Sequence, residues 1–118
     1  MSVAEYRALK VGASNKFGAK AIVVHGHRFA SRLEAYRYLH WQNMWVLGQI
    51  SYFLRQVPFD LPGCIIYRCD FFVIAPESPP VIEDCKGHMT RVSINKIKQV
   101  EDIYGVKVNI ITRKELRQ

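Results

Sequence analysis

The chain has 118 residues, 17 of them Lys or Arg and 10 of them Asp or Glu, which gives a formal net charge of +7. This length fits one domain and excludes a TIM barrel or a two-domain dinucleotide-binding enzyme, which need roughly 250 residues. Hydrophobic residues make up 49% of the chain, too many for a disordered protein, yet no apolar run reaches the ~20 residues of a membrane span. The positive charge favours nucleic acid as a partner.

Residues 1–20 are predicted to form a basic, flexible arm, and residues 21–118 a single folded domain. No acidic residue lies between Glu5 and Glu34, and the arm mixes glycine, serine and asparagine with lysines. Such a segment is typical either of a solubilising tail or of an arm that contacts phosphates, and both interpretations stay open. Three cysteines without a pairing pattern, and no secretory leader, favour a reducing, cytoplasmic setting.

The domain is predicted to contain a short hairpin, a helix, three strands, a second helix and a last strand. Ser31 and Glu34 have the spacing of a capping box, so the first helix begins there. Pro58 is expected at a sheet edge or bulge, because proline cannot donate to a strand ladder. The predicted elements are strands at Ala21–Val24 and Arg28–Phe29, a helix at Ser31–Leu47, strands at Ile50–Leu61, Cys64–Ala75 and Val81–Lys86, a helix from Thr90 or Ser93 to Tyr104, and a strand at Val106–Thr112.

Asp70 is informative because it interrupts the otherwise apolar run Ile65–Ile74. A strand this apolar is expected to be covered on both faces, and a carboxylate within it needs a compensating partner. One candidate partner is Arg68, two residues away on the same face of the strand. The other is a cation that Asp70 shares with a second carboxylate.

The next predicted strand offers that second carboxylate. Side chains alternate along a strand, so Asp84 and Lys86 share one face while Glu83 and Cys85 take the other. If this strand pairs antiparallel with its predecessor, Asp70 and Asp84 lie close together and repel unless a cation separates them. Mg²⁺ suits such a pair, since it prefers oxygen ligands. Glu83 remains a rival of Asp84 for this role.

These motifs resemble the signature of the PD-(D/E)XK nucleases, in which an Asp in an apolar strand is followed by an acidic-x-Lys triplet on the next strand. Here the motif is Asp70 and then Asp84-Cys85-Lys86, and the stretch 26–35 is similar to the Gly-x-x-Phe-x-Ser-x-x-Glu opening of small phage-borne members. The resemblance covers residues 26–112. It implies an α/β (α+β) fold with a restriction-endonuclease-like core, a mixed central sheet flanked by helices. The chain departs from the pattern in lacking a Pro before Asp70 and in carrying Asp84 where Glu is common.

The resemblance implies a Mg²⁺-dependent DNA endonuclease in which Mn²⁺ can substitute. Asp70 and Asp84 would bind the metal together with the backbone carbonyl of Cys85, and Lys86 would position the attacking water. Glu34 would be the further catalytic acid, binding a second ion or a water. Its alternative role is that of a helix cap, and the choice between one and two metal ions stays open.

Basic residues around this site are expected to contact the DNA backbone. Arg37 has the alternative of orienting Glu34. Zinc is not favoured, because the chain lacks the ligand spacings of a zinc site. The predicted DNA contacts are Lys16, Lys20, Arg28, Arg32, Arg37, Arg91, Lys96 and Lys98.

The apolar stripe Tyr38, Trp41 and Trp45 is expected either in the core or at the seam of a homodimer. The expected activity is hydrolysis of phosphodiester bonds, selective for branched or junction DNA or weakly sequence-specific, because a chain this short has little room for a base-reading domain. Phage-type DNA recombination or processing in a bacterial host cell is the implied setting. A sequence-specific homing- or restriction-type endonuclease, a non-catalytic nucleic-acid-binding module on the same fold, and a protein-interaction module are the alternatives.

Overall fold

A computed structural model describes the backbone of residues 11–14 and 20–117 and the side chains of residues 22–115. Val11–Ser14 (β1), Lys20–Val24 (β2) and His27–Phe29 (β3) form a three-stranded antiparallel sheet in the order β1-β2-β3. Strand β1 therefore lies within the segment that was predicted to be a flexible arm. The rest of that segment is outside the described residues, apart from Lys20 at the start of β2.

Two α-helices and a second sheet make up the rest of the described part of the chain, in the predicted order. The elements are α1 at Arg32–Val46, β4 at Tyr52–Leu61, β5 at Ile65–Ile74, β6 at Val81–Cys85, α2 at Arg91–Tyr104 and β7 at Val108–Ile111, followed by a 3₁₀ helix at Arg113–Arg117. The sheet order is β4-β5-β6-β7. Strands β4, β5 and β6 pair antiparallel, whereas β6 and β7 pair parallel. The prediction of a mixed sheet with two helices is confirmed.

Side-chain caps fix the helix ends. The Oγ atom of Ser31 accepts a hydrogen bond from the Glu34 amide at 3.1 Å, and the Oγ1 atom of Thr90 accepts one from the Ser93 amide at 3.1 Å. Each bond satisfies an amide that the first turn of a helix leaves without a partner. Gly105 ends α2 with a φ of 64°, which glycine adopts at little cost. These caps bear out the helix starts read from the sequence.

The core consists of two clusters along the second sheet. Phe71 and Val73 of β5 belong to the cluster that includes Tyr38 and Trp41 of α1. The other cluster contains the buried residues of β5 that precede Asp70, together with the buried residues of α2. Its members are Leu61, Tyr67, Cys69, Ile82, Ile97, Val100 and Val108. Asp70, between Cys69 and Phe71, therefore lies at the border of the two clusters.

Two apolar residues at the end of α2 are exposed. Ile103 and Tyr104 on α2 expose 50% and 43% of their surface, because the helix contacts the sheet mainly through Ile97 and Val100. Pro58 lies on β4, an edge strand, as predicted. Within the described residues neither helix is long and apolar enough to span a membrane.

Candidate functional site

The side-chain amide of Gln56 bridges Asp70 and Glu34. The side-chain Nε2 of Gln56 donates to Oδ1 of Asp70 at 3.1 Å and to Oε1 of Glu34 at 3.3 Å. The other oxygen of Asp70, Oδ2, accepts the backbone N–H of Cys85 at 2.7 Å. Asp70 is thus compensated by neutral donors, and in the described part of the chain it forms no salt bridge with Arg68. The alternative of an Arg68 ion pair is wrong.

Asp84 lies beside Asp70 on the neighbouring strand and is almost fully buried. Its Oδ2 accepts the hydroxyl of Tyr67 at 2.7 Å and lies 3.5 Å from the Nζ of Lys86. The register explains the neighbourhood: Phe71 pairs with Glu83, so the next positions along these antiparallel strands bring Asp70 and Asp84 together. The antiparallel pairing that the sequence analysis assumed is present.

The carboxylates perturb each other. Burial, a hydrogen-bond interaction with Asp84 and the charge of Glu34 raise the pKa of Asp70 to about 8, against the lowering effect of the Cys85 amide. Burial likewise raises the pKa of Glu34, and the neighbouring Arg55 opposes that shift. Three acids in one partly desolvated place hold more negative charge than the nearby cations compensate. The arrangement favours either a bound proton or a bound cation.

Glu34 has partners of both predicted kinds. Its amide makes the helix cap to Ser31, while its carboxylate faces Gln56 and lies 3.6 Å from Nη2 of Arg55. The Arg55 guanidinium rests over the ring of Phe29 at 4.1 Å, which holds it next to the acid. The backbone caps the helix and leaves the carboxylate available to the site.

Gln56 is a site residue whose role the sequence did not reveal. It stands opposite Asp70 in the ladder, between the pairs Arg55 with Phe71 and Val57 with Cys69. Its φ is 53°, in the left-handed region, where a non-glycine residue is uncommon and often marks a functional position. The sequence signal that could have found it is register: a polar residue in β4 as far from the turn as Asp70 is in β5.

Glu83 serves the fold on the other face of β6. Its carboxylate accepts two hydrogen bonds of 2.7 Å from Arg37 and one of 3.1 Å from Nε1 of Trp41. All its partners come from α1, and it is 1% exposed. Asp84, not Glu83, lies with Asp70 and Lys86. Arg37, predicted to contact DNA or to orient Glu34, is instead engaged with Glu83.

Comparison with known proteins adds one finding. The profile of a family described as protein of unknown function, DUF1064, matches residues 14–116. The chain belongs to the DUF1064 family. No curated protein matches it. The matched stretch of the DUF1064 protein contains the four acids and the lysine described above.

The predicted DNA contacts of this DUF1064 protein other than Arg37 fall into three groups. Arg32 lines a recess together with Gly87, and Lys96 lines a groove together with Lys86. Arg28, Arg91 and Lys98 are exposed and line neither. Lys16 and the side chain of Lys20 lie outside the described residues.

The donors of the DUF1064 site are oxygens. Burial raises the pKa of the Cys69 thiol to about 11 and also raises that of Cys85, so both thiols are neutral in the metal-free protein. As the side chains stand, no group of three or more His, Cys, Asp or Glu among the described residues is disposed to hold a metal ion. Gln56 and the Cys85 amide occupy the Asp70 oxygens, and an ion would compete with them.

Proposed function

We propose that this DUF1064 protein is a metal-dependent DNA endonuclease of the PD-(D/E)XK type. The observation that carries the proposal is the convergence of Glu34, Asp70 and Asp84 beside Lys86, in the places that the motif assigns to them. A structural role alone does not explain three acids here, since burial, with a smaller contribution from the neighbouring acids, raises the pKa values of Glu34 and Asp70.

The architecture supports the same proposal. A restriction-endonuclease-like core has a helix, three strands, a second helix and a further strand around a mixed sheet, and the order α1-β4-β5-β6-α2-β7 matches it. The two acidic motifs lie on β5 and β6, adjacent strands of that sheet. Fold similarity alone does not establish activity, so the site residues carry the argument.

The acids fit a divalent cation by their chemistry. Asp70, Asp84 and Glu34 would hold it, with the backbone carbonyl of Cys85 next to Asp70, because Mg²⁺ and Mn²⁺ prefer oxygen ligands. When bound, the cation supplies Lewis-acid charge at the phosphate that is cleaved. It would also offset the burial and the neighbouring charges that raise the pKa of Asp70.

Lys86 and Tyr67 are the neighbours that complete the proposed chemistry. The Lys86 ammonium, 28% exposed and 3.5 Å from Asp84, is placed to hold a water molecule for attack on phosphorus and to stabilise the charge that develops on the phosphate oxygens. The Tyr67 hydroxyl orients Asp84 by its hydrogen bond. Lys86 is open to a substrate strand along the groove, whereas Tyr67 is buried at the wall of the same groove and acts through Asp84.

Branched or junction DNA is the proposed substrate, and a homodimer is the proposed form that cuts two strands. Tyr38 and Trp41 are buried within the chain, so they pack in its core, the other role the sequence left open for them. Trp45 exposes 45% of its surface beside exposed Val46 and Leu47, which is the part of the helix left to a dimer contact.

A cleavage assay tests the proposal. The protein is incubated with Mg²⁺ or Mn²⁺ and a four-way junction, a linear duplex or a single strand of matched sequence. Asp70→Asn removes the site carboxylate, and Asp102→Asn makes the same chemical change at an exposed position of α2. We expect junction cleavage that EDTA abolishes, that Asp70→Asn loses and that Asp102→Asn retains.

Each other outcome has a definite meaning. Metal-dependent cleavage of all three substrates keeps the nuclease and refutes junction selectivity. Cleavage by Asp70→Asn at the wild-type rate refutes the assignment of the site. DNA binding without cleavage of any substrate supports the non-catalytic module or a sequence-specific enzyme whose recognition sequence is missing.

A further inference from the structure

Two basic recesses flank the consecutive residues Lys86 and Gly87. A groove of about 300 Å³ is lined by Lys86, Arg68, Lys96, Tyr67 and Ser93. A second recess of about 300 Å³ is lined by Gly87 and contains Arg32 and Arg113. Since consecutive Cα atoms are ~3.8 Å apart, the two recesses approach each other at the turn after β6.

The groove has one wall from the sheet and one from α2. Arg68 is exposed on β5, two residues before Asp70, and Lys96 is half-buried on α2. Lys86 joins them, with its ammonium turned toward Asp84. Lys86 pairs with Asp84, whereas Arg68 and Lys96 add positive charge to the groove that the acids do not use.

The second recess also contains two cations. Arg32 lies on the first turn of α1, and Arg113 begins the 3₁₀ helix after β7. Both are exposed. Arg113 was not among the predicted DNA contacts, because the sequence placed it in a charged tail far from Arg32. The fold brings these two residues to one recess.

Four of the five cations in the two recesses form no salt bridge within the described residues. The salt bridges among the described residues are Arg37 with Glu83, Arg55 with Glu34 and Lys86 with Asp84. Arg68, Lys96, Arg32 and Arg113 take part in none of them. Unpaired guanidinium and ammonium groups lining concave surfaces favour phosphate groups as ligands.

We propose that one DNA strand crosses the turn at Lys86–Gly87, with a phosphate on each side of the cleaved one. Arg68 and Lys96 hold the phosphate in the groove, and Arg32 and Arg113 hold the other. The path places the cleaved phosphate over the acids, whose negative charge would otherwise repel it. This inference rests on the proposed function and assigns two residues, Arg68 and Arg113, that sequence reasoning did not.

The test measures binding separately from cleavage. Binding of a fluorescein-labelled four-way junction and duplex is followed by anisotropy in EDTA over a range of salt concentrations. The variants are Arg68→Gln with Lys96→Gln, and Arg32→Gln with Arg113→Gln, since glutamine keeps part of each stem. The control, Lys107→Gln with Lys114→Gln, removes the same charge from exposed positions that line neither recess.

We expect each recess variant to bind about tenfold more weakly or worse, and to lower the slope of log affinity against log salt concentration by about one, because each recess holds one phosphate and the slope is about 0.9 per phosphate on duplex DNA. The control should keep the wild-type slope. Equal slopes for the recess variants and the control overturn the path. If wild type does not cleave but the recess variants still lose binding, the proposed DNA path is supported and the proposed nuclease activity is not. If wild type cleaves but the recess variants bind normally, the nuclease proposal is kept and the DNA path is refuted.

Discussion

Replacing Asp70 by Asn is expected to remove a pH dependence from the stability of the metal-free protein. The folded structure raises the pKa of Asp70 to about 8, through burial first and then through Asp84 and Glu34, whereas an unfolded chain titrates near ~3.9. Between these values the folded protein binds one more proton than the unfolded chain. The stabilisation from that proton is fully present below the unfolded pKa and is lost as the pH rises through the folded one.

The magnitude follows from one proton. A difference of one bound proton changes the free energy of unfolding by about 1.4 kcal/mol per pH unit. From about pH 5 to pH 7 wild type should therefore lose about 2.5 kcal/mol that Asp70→Asn does not lose. His40 acts in the opposite direction, because burial and Arg37 lower its pKa. Its contribution is present in both proteins and cancels in the comparison.

Urea unfolding in EDTA at several pH values measures this difference. The free energy of unfolding of wild type should fall relative to that of Asp70→Asn as the pH rises, and Mg²⁺ should stabilise wild type but not the variant. Parallel pH profiles for the two proteins would refute the reasoning, because they would mean that Asp70 does not hold its proton in the folded state. Asp102→Asn is the control and should follow wild type.

Three further substitutions separate the fold from the proposed chemistry. Glu83→Gln should lower the free energy of unfolding by about 3 kcal/mol, because it leaves Arg37 without its counter-ion; wild-type urea stability would contradict the structural role. Lys86→Ala should leave the melting temperature near that of wild type but slow cleavage at least about a hundredfold, and undiminished turnover would remove Lys86 from the mechanism. Tyr67→Phe should cost about 1 kcal/mol of stability and weaken Mg²⁺ binding about tenfold in calorimetry, since Asp84 loses the group that orients it; unchanged affinity would leave Tyr67 a packing residue.

The elements of the fold were predictable because their signals are local. Ser31, Thr90 and Gly105 mark helix ends through hydrogen bonds or backbone angles within a few residues, and the long apolar runs fix β4 and β5. How much of α2 is buried could not be predicted from local signals. Its apolar face extends to Ile103 and Tyr104, yet both stay exposed, and Tyr104 contacts only the edge strand through Phe59 and Asp60. No local sequence pattern reports how far a neighbouring sheet covers a helix.

At the site, too, the features that depend on local sequence were predictable and those that depend on distant contacts were not. Alternation along β6 was enough to place Asp84 with Lys86. The bridge from Gln56 to Asp70 depends on the register of β4 and on a left-handed backbone at a residue that seldom adopts one. The Arg37–Glu83 pair joins residues 46 positions apart, so only the packing of α1 on the sheet could reveal it.

Adjacent acids on β6 also create an ambiguity that folding must resolve. A slip of one residue turns every side chain of a strand to the other face, and here it would put Glu83 in the place of Asp84, or Asp84 in the place of Glu83. The first slip also puts Ile82 against the Arg37 guanidinium, and the second puts Glu83 in the apolar place of Ile82. The hydrogen bonds from Arg37 fit the longer side chain of glutamate in a fixed geometry. An ion pair outside the proposed chemistry thus helps to hold the register that keeps Asp84 beside Asp70.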